Sequence, residues 1–219
     1  MRKLIVGTFM SLDGVMQAPG GPEEDPTGGF THGGWSVNYW DDMMGAQMGE
    51  SMGQPFDLLL GRRTYEIFAA HWPHSTEPGA EELNRATKHV ASRTLDRVDW
   101  VNSHLLEGDV PDAVRGLKEQ DGPELQVMGS AELLQTLQRH DLVDEYRLMI
   151  FPLLLGTGKK LFGGGEVPTS LRLADSKVAS TGVVIATYER AGEIEYGSFA
   201  REEPTPEEVE RRQRLAEEG

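Results

Sequence analysis

Three short stretches of the chain carry residues suited to holding phosphate. In DLLLGRRTYE, residues 57–66, the apolar run Leu58 to Leu60 has strand length and leads into a glycine, two arginines and a threonine. Gly61 lets the backbone turn sharply and lets a ligand come close. Thr64 suits the first turn of a helix, where unpaired N–H groups attract anions. The guanidinium forks of Arg62 and Arg63 match phosphate oxygens. In MGSAEL, residues 128–133, Gly129, Ser130 and Ala131 are small enough for helix N–H groups to reach a pyrophosphate, and Glu132 follows them. KHVASR, residues 88–93, ends a third strand on Ser92 and Arg93, and Arg93 is suited to a ribose 2′-phosphate. Each stretch alone also fits an ordinary turn with solvated charges. Two such junctions and a third strand end in one open α/β sheet point to a dinucleotide, because ligands sit outside the carboxyl ends of the strands.

Other polar residues carry less. Asp13, in SLDG, is expected at the same sheet edge, where it could bond a substrate or supply a proton, although Asp-Gly is also a common turn. Asp41 and Asp42 are alternative carboxylates or simply solvated. Lys159 and Lys160 lie in GTGKKLFGGG, which lacks the P-loop spacing. His71 and His74 are separated by Pro73 and have no third ligand, so no metal site is expected. No G-x-S-x-G elbow is present.

The elements that would position these groups follow from periodicity. Strands are expected at Arg2–Phe9, Asp57–Leu60, Lys88–Ser92, Val98–Val101, Leu125–Met128 and Asp144–Leu155. Helices are expected within Ser36–Gly53 and at Thr64–Ala70, Glu81–Ala86, Pro111–Asp121 and Glu132–Arg139. A hairpin, Leu171–Ser180 with Gly182–Arg190, closes the series. Strands alternate with helices to about residue 140, which predicts a mostly parallel sheet covered on both faces, and the final strands predict an antiparallel edge. Met44, Met48 and Met52 share one helix face, as a pliable core stripe or the flexible wall of a pocket. The long Gly-, Pro- and acid-rich loop after SLDG has the length of a lid or binding loop.

With 219 residues the chain has length for one large domain, 1–192, followed by an acidic, helical tail, 193–219, N-capped at Thr205. The absence of cysteine excludes disulfides and thiolate metal sites. The net charge of −15 argues against nonspecific nucleic-acid binding. No apolar run reaches membrane-spanning length, MRKLIVGTF is too short for a signal peptide, and a cytoplasmic location is expected.

The series SLDG, LLLGRRTYE, KHVAS, VMGSAELL and LVDEYRLMIFPLLLGTGKKLF resembles the dihydrofolate reductase-like superfamily over about residues 2–190. Within it, the last motif is most similar to the branch of the C-terminal reductase domain of the bifunctional riboflavin-biosynthesis protein. The resemblance implies a three-layer α/β fold, a mixed, mostly parallel central sheet flanked by helices. It implies NADPH as hydride donor, a small-molecule substrate and a homodimer. Gly61, Arg62 and Thr64 would then hold cofactor phosphates, Ser92 and Arg93 would lie near the adenosine phosphate, and Gly129, Ser130, Ala131 and Glu132 would line the pyrophosphate. Asp13 and Gly14 would lie near the nicotinamide and substrate, with Asp13 as the catalytic candidate. The expected activity resembles that of 5-amino-6-(5-phosphoribosylamino)uracil reductase domains. A non-catalytic nucleotide-binding protein and a true dihydrofolate reductase are the alternatives. The chain departs from the family pattern in the acidic insertion GGPEEDPTGG, residues 20–29, and in GSAEL where a glycine pair is common.

Overall fold

A computed structural model describes every residue except 201, 202 and 219. Eight strands form one sheet: β1 (Leu4–Ser11), β2 (Phe56–Gly61), β3 (Lys88–Ala91), β4 (Ser103–Leu105), β5 (Glu124–Val127), β6 (Glu145–Phe151), β7 (Ser170–Val178) and β8 (Val184–Gly192). Their order is β4-β3-β2-β5-β1-β6-β8-β7. The pairs from β4 across to β6 are parallel, and β6–β8 and β8–β7 are antiparallel. The helices are α1 (Asp42–Met52), α2 (Arg62–His71), α3 (Ala80–Arg85), α4 (Val110–Glu119), α5 (Ala131–Arg139) and α6 (Pro206–Glu218). The mixed three-layer α/β architecture expected from the sequence is therefore the one observed. Within residues 193–219, α6 spans Pro206–Glu218, and residues 201, 202 and 219 lie outside the described residues. None of the described helices is long and apolar enough to cross a membrane.

Alternation along each strand sends side chains to two faces. Leu4, Val6, Leu59, Leu125, Val127 and Leu148 pack on one face with Val114 and Leu117 of α4 and Leu133, Leu134 and Leu137 of α5. The other face divides. Leu58, Leu60 and Val90 pack with Met52 of α1, Tyr65 of α2 and Leu83 of α3. Phe151, Met149 and Ile185 pack with Met44 of α1 and with Val15, Phe30 and Trp35 of the long loop. The methionine stripe thus bridges two halves of one face.

Two expected strands are corrected. Val98–Val101 is not a strand: the Trp100 backbone N–H donates to Tyr65 Oη at 3.0 Å and its indole N–H to Asn84 Oδ1 at 2.7 Å, so this segment is bonded to helix side chains. The strand begins after a turn in which Asn102 has φ 57°, at Ser103. The strand expected over Asp144–Leu155 ends at Phe151, because Pro152 has no N–H to donate to a ladder. Conversely, β1 runs past Phe9 to Ser11, paired with Phe151.

Lys88 is fully buried on β3. Its ammonium donates to the carbonyls of Asn84 at 2.8 Å and Val101 at 3.1 Å and lies 4.1 Å from the Trp100 ring centroid. Burial pulls its pKa from 10.5 down to about 8. A base depressed on folding binds its proton more weakly than the unfolded chain does, so the cost is full below about pH 8 and relieved as pH rises towards 10.5. Stability of the native protein relative to Lys88→Met is accordingly expected to rise across that window, measured as the difference between their melting temperatures against pH.

Candidate active-site cleft

The carboxyl ends of β3, β2 and β5 lie side by side. Gly61 ends β2 opposite Ala91 of β3, and its N–H donates to the Gly129 carbonyl at 3.1 Å. A Cβ on Gly61 would sit 2.9 Å from Ser130 N, and one on Gly129 would sit 2.5 Å from Thr64 Oγ1. Glycine is therefore required at both positions for α2 and α5 to start this close together. The Gly129–Ser130 peptide is cis.

α2 and α5, like the short α3, start without the side-chain cap that α1 and α4 have. α1 is capped by Asp41 and α4 by Asp109, whose carboxylates accept from Met44 N and Asp112 N. α2 and α5 begin at Gly61 and Ser130 with no side-chain cap. Their first N–H groups are open, and two positive helix ends converge. Arg62 and Arg63 occupy the first turn of α2, which holds no acidic residue. This arrangement fits a diphosphate.

A cleft of about 1780 Å³ runs from this junction over the sheet. Thr64, Ser130 and Ala131 line it, together with Arg63. Its floor is Phe9, Gln126, Arg147, Met149, Ile185 and Thr187, and Trp40, Met48 and Met52 wall it. Met44 is core, and Met48 and Met52 pack against the core while also lining the cleft.

The remaining expected residues stand outside the cleft wall. Arg62 pairs with Glu66 at 3.1 Å. Ser92 Oγ accepts from the N–H groups of Thr94 and Leu95, making a turn just past β3 with Arg93 exposed beside it. Glu132 is exposed in the first turn of α5, where its charge competes with an anion. Gly14, at φ 86°, closes a turn on Ser11 and accepts from Leu161 N through its carbonyl. Asp13 accepts from Ser11 Oγ at 2.6 Å and from the N–H groups of Leu155 at 3.1 Å and Gly156 at 2.8 Å. The Ser11 hydroxyl first, and the two amides after it, hold its pKa down to about 2. This is the geometry of an ionised clamp joining two loops rather than of a proton donor.

Lys159 is also engaged. Its ammonium pairs with Asp25 and donates to Thr27 Oγ1 at 2.8 Å. Gln17 donates to the carbonyls of Asp25 and Thr27, both at 2.9 Å, and accepts from Lys159 N at 3.0 Å. Trp35 donates to the Gln17 carbonyl at 2.7 Å. The loop from Gln17 to Asp25 is thereby fixed along the cleft, with Glu23, Glu24 and Asp25 in its wall. Asp41, one of the alternative carboxylates, caps α1 and accepts from Ser180 N and Oγ, both at 2.8 Å.

Arg147 and Gln126 were not singled out by the sequence. Arg147 binds Glu124 through two nitrogens at 2.8 and 3.1 Å and Glu145 at 2.7 Å, and Gln126 bonds Glu124 at 2.8 Å. The available signal was an arginine inside the apolar strand EYRLMIF, where a charge survives only if paired.

A family model described as the RibD C-terminal domain matches residues 2–185. The protein YyaP of Bacillus subtilis strain 168 is 28% identical over 200 residues, covering 85% of this chain and 94% of YyaP. A Shewanella sp. PV-4 protein provisionally assigned to riboflavin biosynthesis superposes with a TM-score of 0.62 at 24% identity, over 86% of this chain and 99% of that one. A dihydrofolate reductase from Enterococcus faecalis, complexed with NADP(H), superposes with a TM-score of 0.54 at 15% identity, over 86% of this chain and 96% of that one.

Proposed function

The chain belongs to the RibD C-terminal domain family, and from that membership we propose that it is an NADPH-dependent reductase of a small heterocyclic or carbonyl-type substrate. One observation carries the reading: two uncapped helix N-termini, α2 and α5, meet at the mouth of one large cleft. The E. faecalis reductase of the same fold was solved with NADP(H), which supports this choice of cofactor.

Bound NADPH would supply the hydride. Thr64, Ser130 and the open N–H groups of α2 and α5 would hold its phosphates, and Arg63 would add charge at the same end. Phe9, Met48, Met149 and Ile185 exclude water from the floor and keep a planar substrate oriented. A hydride added to a C=N or C=O bond must be accompanied by a proton. Glu24 lines the cleft with its Oε2 held by the Gly20 and Gly21 amides, and water at the open cleft would supply that proton.

Purified protein is expected to gain at least about 2.7 kcal/mol of stability when NADPH is present at a hundred times its Kd, and less at equal NADH. Melting temperatures at matched concentrations read this directly. Equal failure of both nucleotides removes the cofactor assignment. Stabilisation by NADPH without its oxidation by pterins, pyrimidines or quinones would identify a nucleotide-binding protein instead.

A further inference from the structure

We propose that the substrate end of the cleft selects an unphosphorylated heteroaromatic ring, neutral or cationic, because the fixed loop bearing Glu23, Glu24 and Asp25 faces it and the nearby cations are already paired. The inference rests on the reductase reading and specifies its substrate class. The cleft wall contains two lysine or arginine side chains away from the α2 and α5 ends, Arg147 and Lys159. Arg147 is held by Glu124 and Glu145, and Lys159 by Asp25 and Thr27. Arg63 belongs to the first turn of α2, at the end suited to the cofactor phosphates.

A phosphate beyond that end would have to draw a cation from an existing pair, leaving a carboxylate unpaired in the wall. It would also meet Glu23, which is exposed, and Glu24, whose Oε2 is fixed by Gly20 N at 2.6 Å and Gly21 N at 3.2 Å. The loop cannot simply swing aside. Gln17 is 5% exposed, and its carboxamide ties the loop to Lys159. Ser36 Oγ donates to the Pro19 carbonyl at 2.8 Å, and Gly34 N to the Ala18 carbonyl at 2.9 Å. The other walls suit a flat ring. Phe9 and Trp40, a tilted contacting pair with ring centroids 6.0 Å apart, offer aromatic surface, and Met48 and Met149 offer polarizable apolar contact.

The test uses three matched pairs that differ by one phosphate: riboflavin and flavin mononucleotide, uridine and its 5′-monophosphate, thiamine and its monophosphate. Binding is measured by calorimetry on full-length protein saturated with NADP⁺. The unphosphorylated member of at least one pair is expected to bind about tenfold or more tightly than its partner. Glu23→Lys, at an exposed position, is expected to leave the melting temperature unchanged and to narrow that ratio by at least about threefold, through tighter binding of the phosphorylated member. Equal or tighter binding of the phosphorylated member in every pair that binds overturns the proposal. So does failure of all six compounds, or an unchanged ratio in Glu23→Lys. Failure of NADP⁺ itself to bind is a separate result, and it falls on the reductase reading.

Discussion

Gly61→Ala is expected to separate α2 from α5, costing both stability and NADPH affinity. The added Cβ would lie 2.9 Å from Ser130 N and 3.1 Å from Ser130 Cβ, and closer still to Ser130 Oγ. The nitrogen is backbone at the start of α5, so a rotamer change cannot relieve the clash. Overpacking of this kind costs about 1–3 kcal/mol. The same displacement would pull apart the open N–H groups suited to a diphosphate, so NADPH affinity should fall by about tenfold or more. Ser130→Gly in the Gly61→Ala background removes Oγ and Cβ but not the nitrogen, and partial recovery is expected, with a coupling of roughly 0.5–3 kcal/mol between the sites. Gly116→Ala on α4, where a Cβ meets nothing within 4 Å, is the control, and it should be neutral or slightly stabilising. Melting curves and NADPH titrations on the native protein, these three variants and Ser130→Gly alone measure both effects and the coupling. Unchanged affinity in Gly61→Ala would separate the junction from the cofactor.

Phe151→Ala should be the most destabilising single change in the cleft's support. Phe151 is fully buried at the end of β6, with ring centroids of Trp35 at 5.1 Å, Phe9 at 5.6 Å and Tyr39 at 5.9 Å. One ring thus seats the long loop, the segment before α1 and β1. Truncation costs about 3–5 kcal/mol through lost burial and the cavity left behind. For a chain of this size that lowers the melting temperature by on the order of 10 °C. Amide hydrogen exchange should accelerate across residues 15–36, whose aromatic anchor is removed, more than in α4 or α5, which pack on the opposite face. Leu154→Ala, at a side chain left largely exposed, should stay within about 0.5 kcal/mol of the native protein. Uniform acceleration of exchange would mean that Phe151 supports the whole sheet and not the loop in particular.

What the sequence made legible was local. Gly61, Thr64, Gly129 and Ser130 could be read because a strand, a small residue and a helix start are adjacent in the chain, and the sheet needs only parallel order to bring two such junctions together. The architecture was legible for the same reason, through alternation and helix periodicity. The roles of Asp13 and Lys159 were not. Beyond the local Ser11 hydroxyl, Asp13 is engaged by Leu155 and Gly156, and Lys159 by Asp25 and Thr27, all more than 130 positions away. A free charge and a paired one look alike until the loops meet. Strand β4 was misplaced because VDWV has strand composition, yet Trp100 finds its polar partners on Tyr65 and Asn84. Ser92 falls one residue past β3, and its hydroxyl caps its own turn, a local competition that composition does not reveal.

The central claim is that the α2 and α5 N-termini form one diphosphate site opening into the substrate cleft. A crystal structure of the protein grown with NADPH tests it most directly. The pyrophosphate is expected within hydrogen-bond distance of Thr64 and Ser130, and the nicotinamide in the cleft over Phe9 and Met149. A pyrophosphate bound elsewhere, with Thr64 and Ser130 facing only solvent, would contradict it.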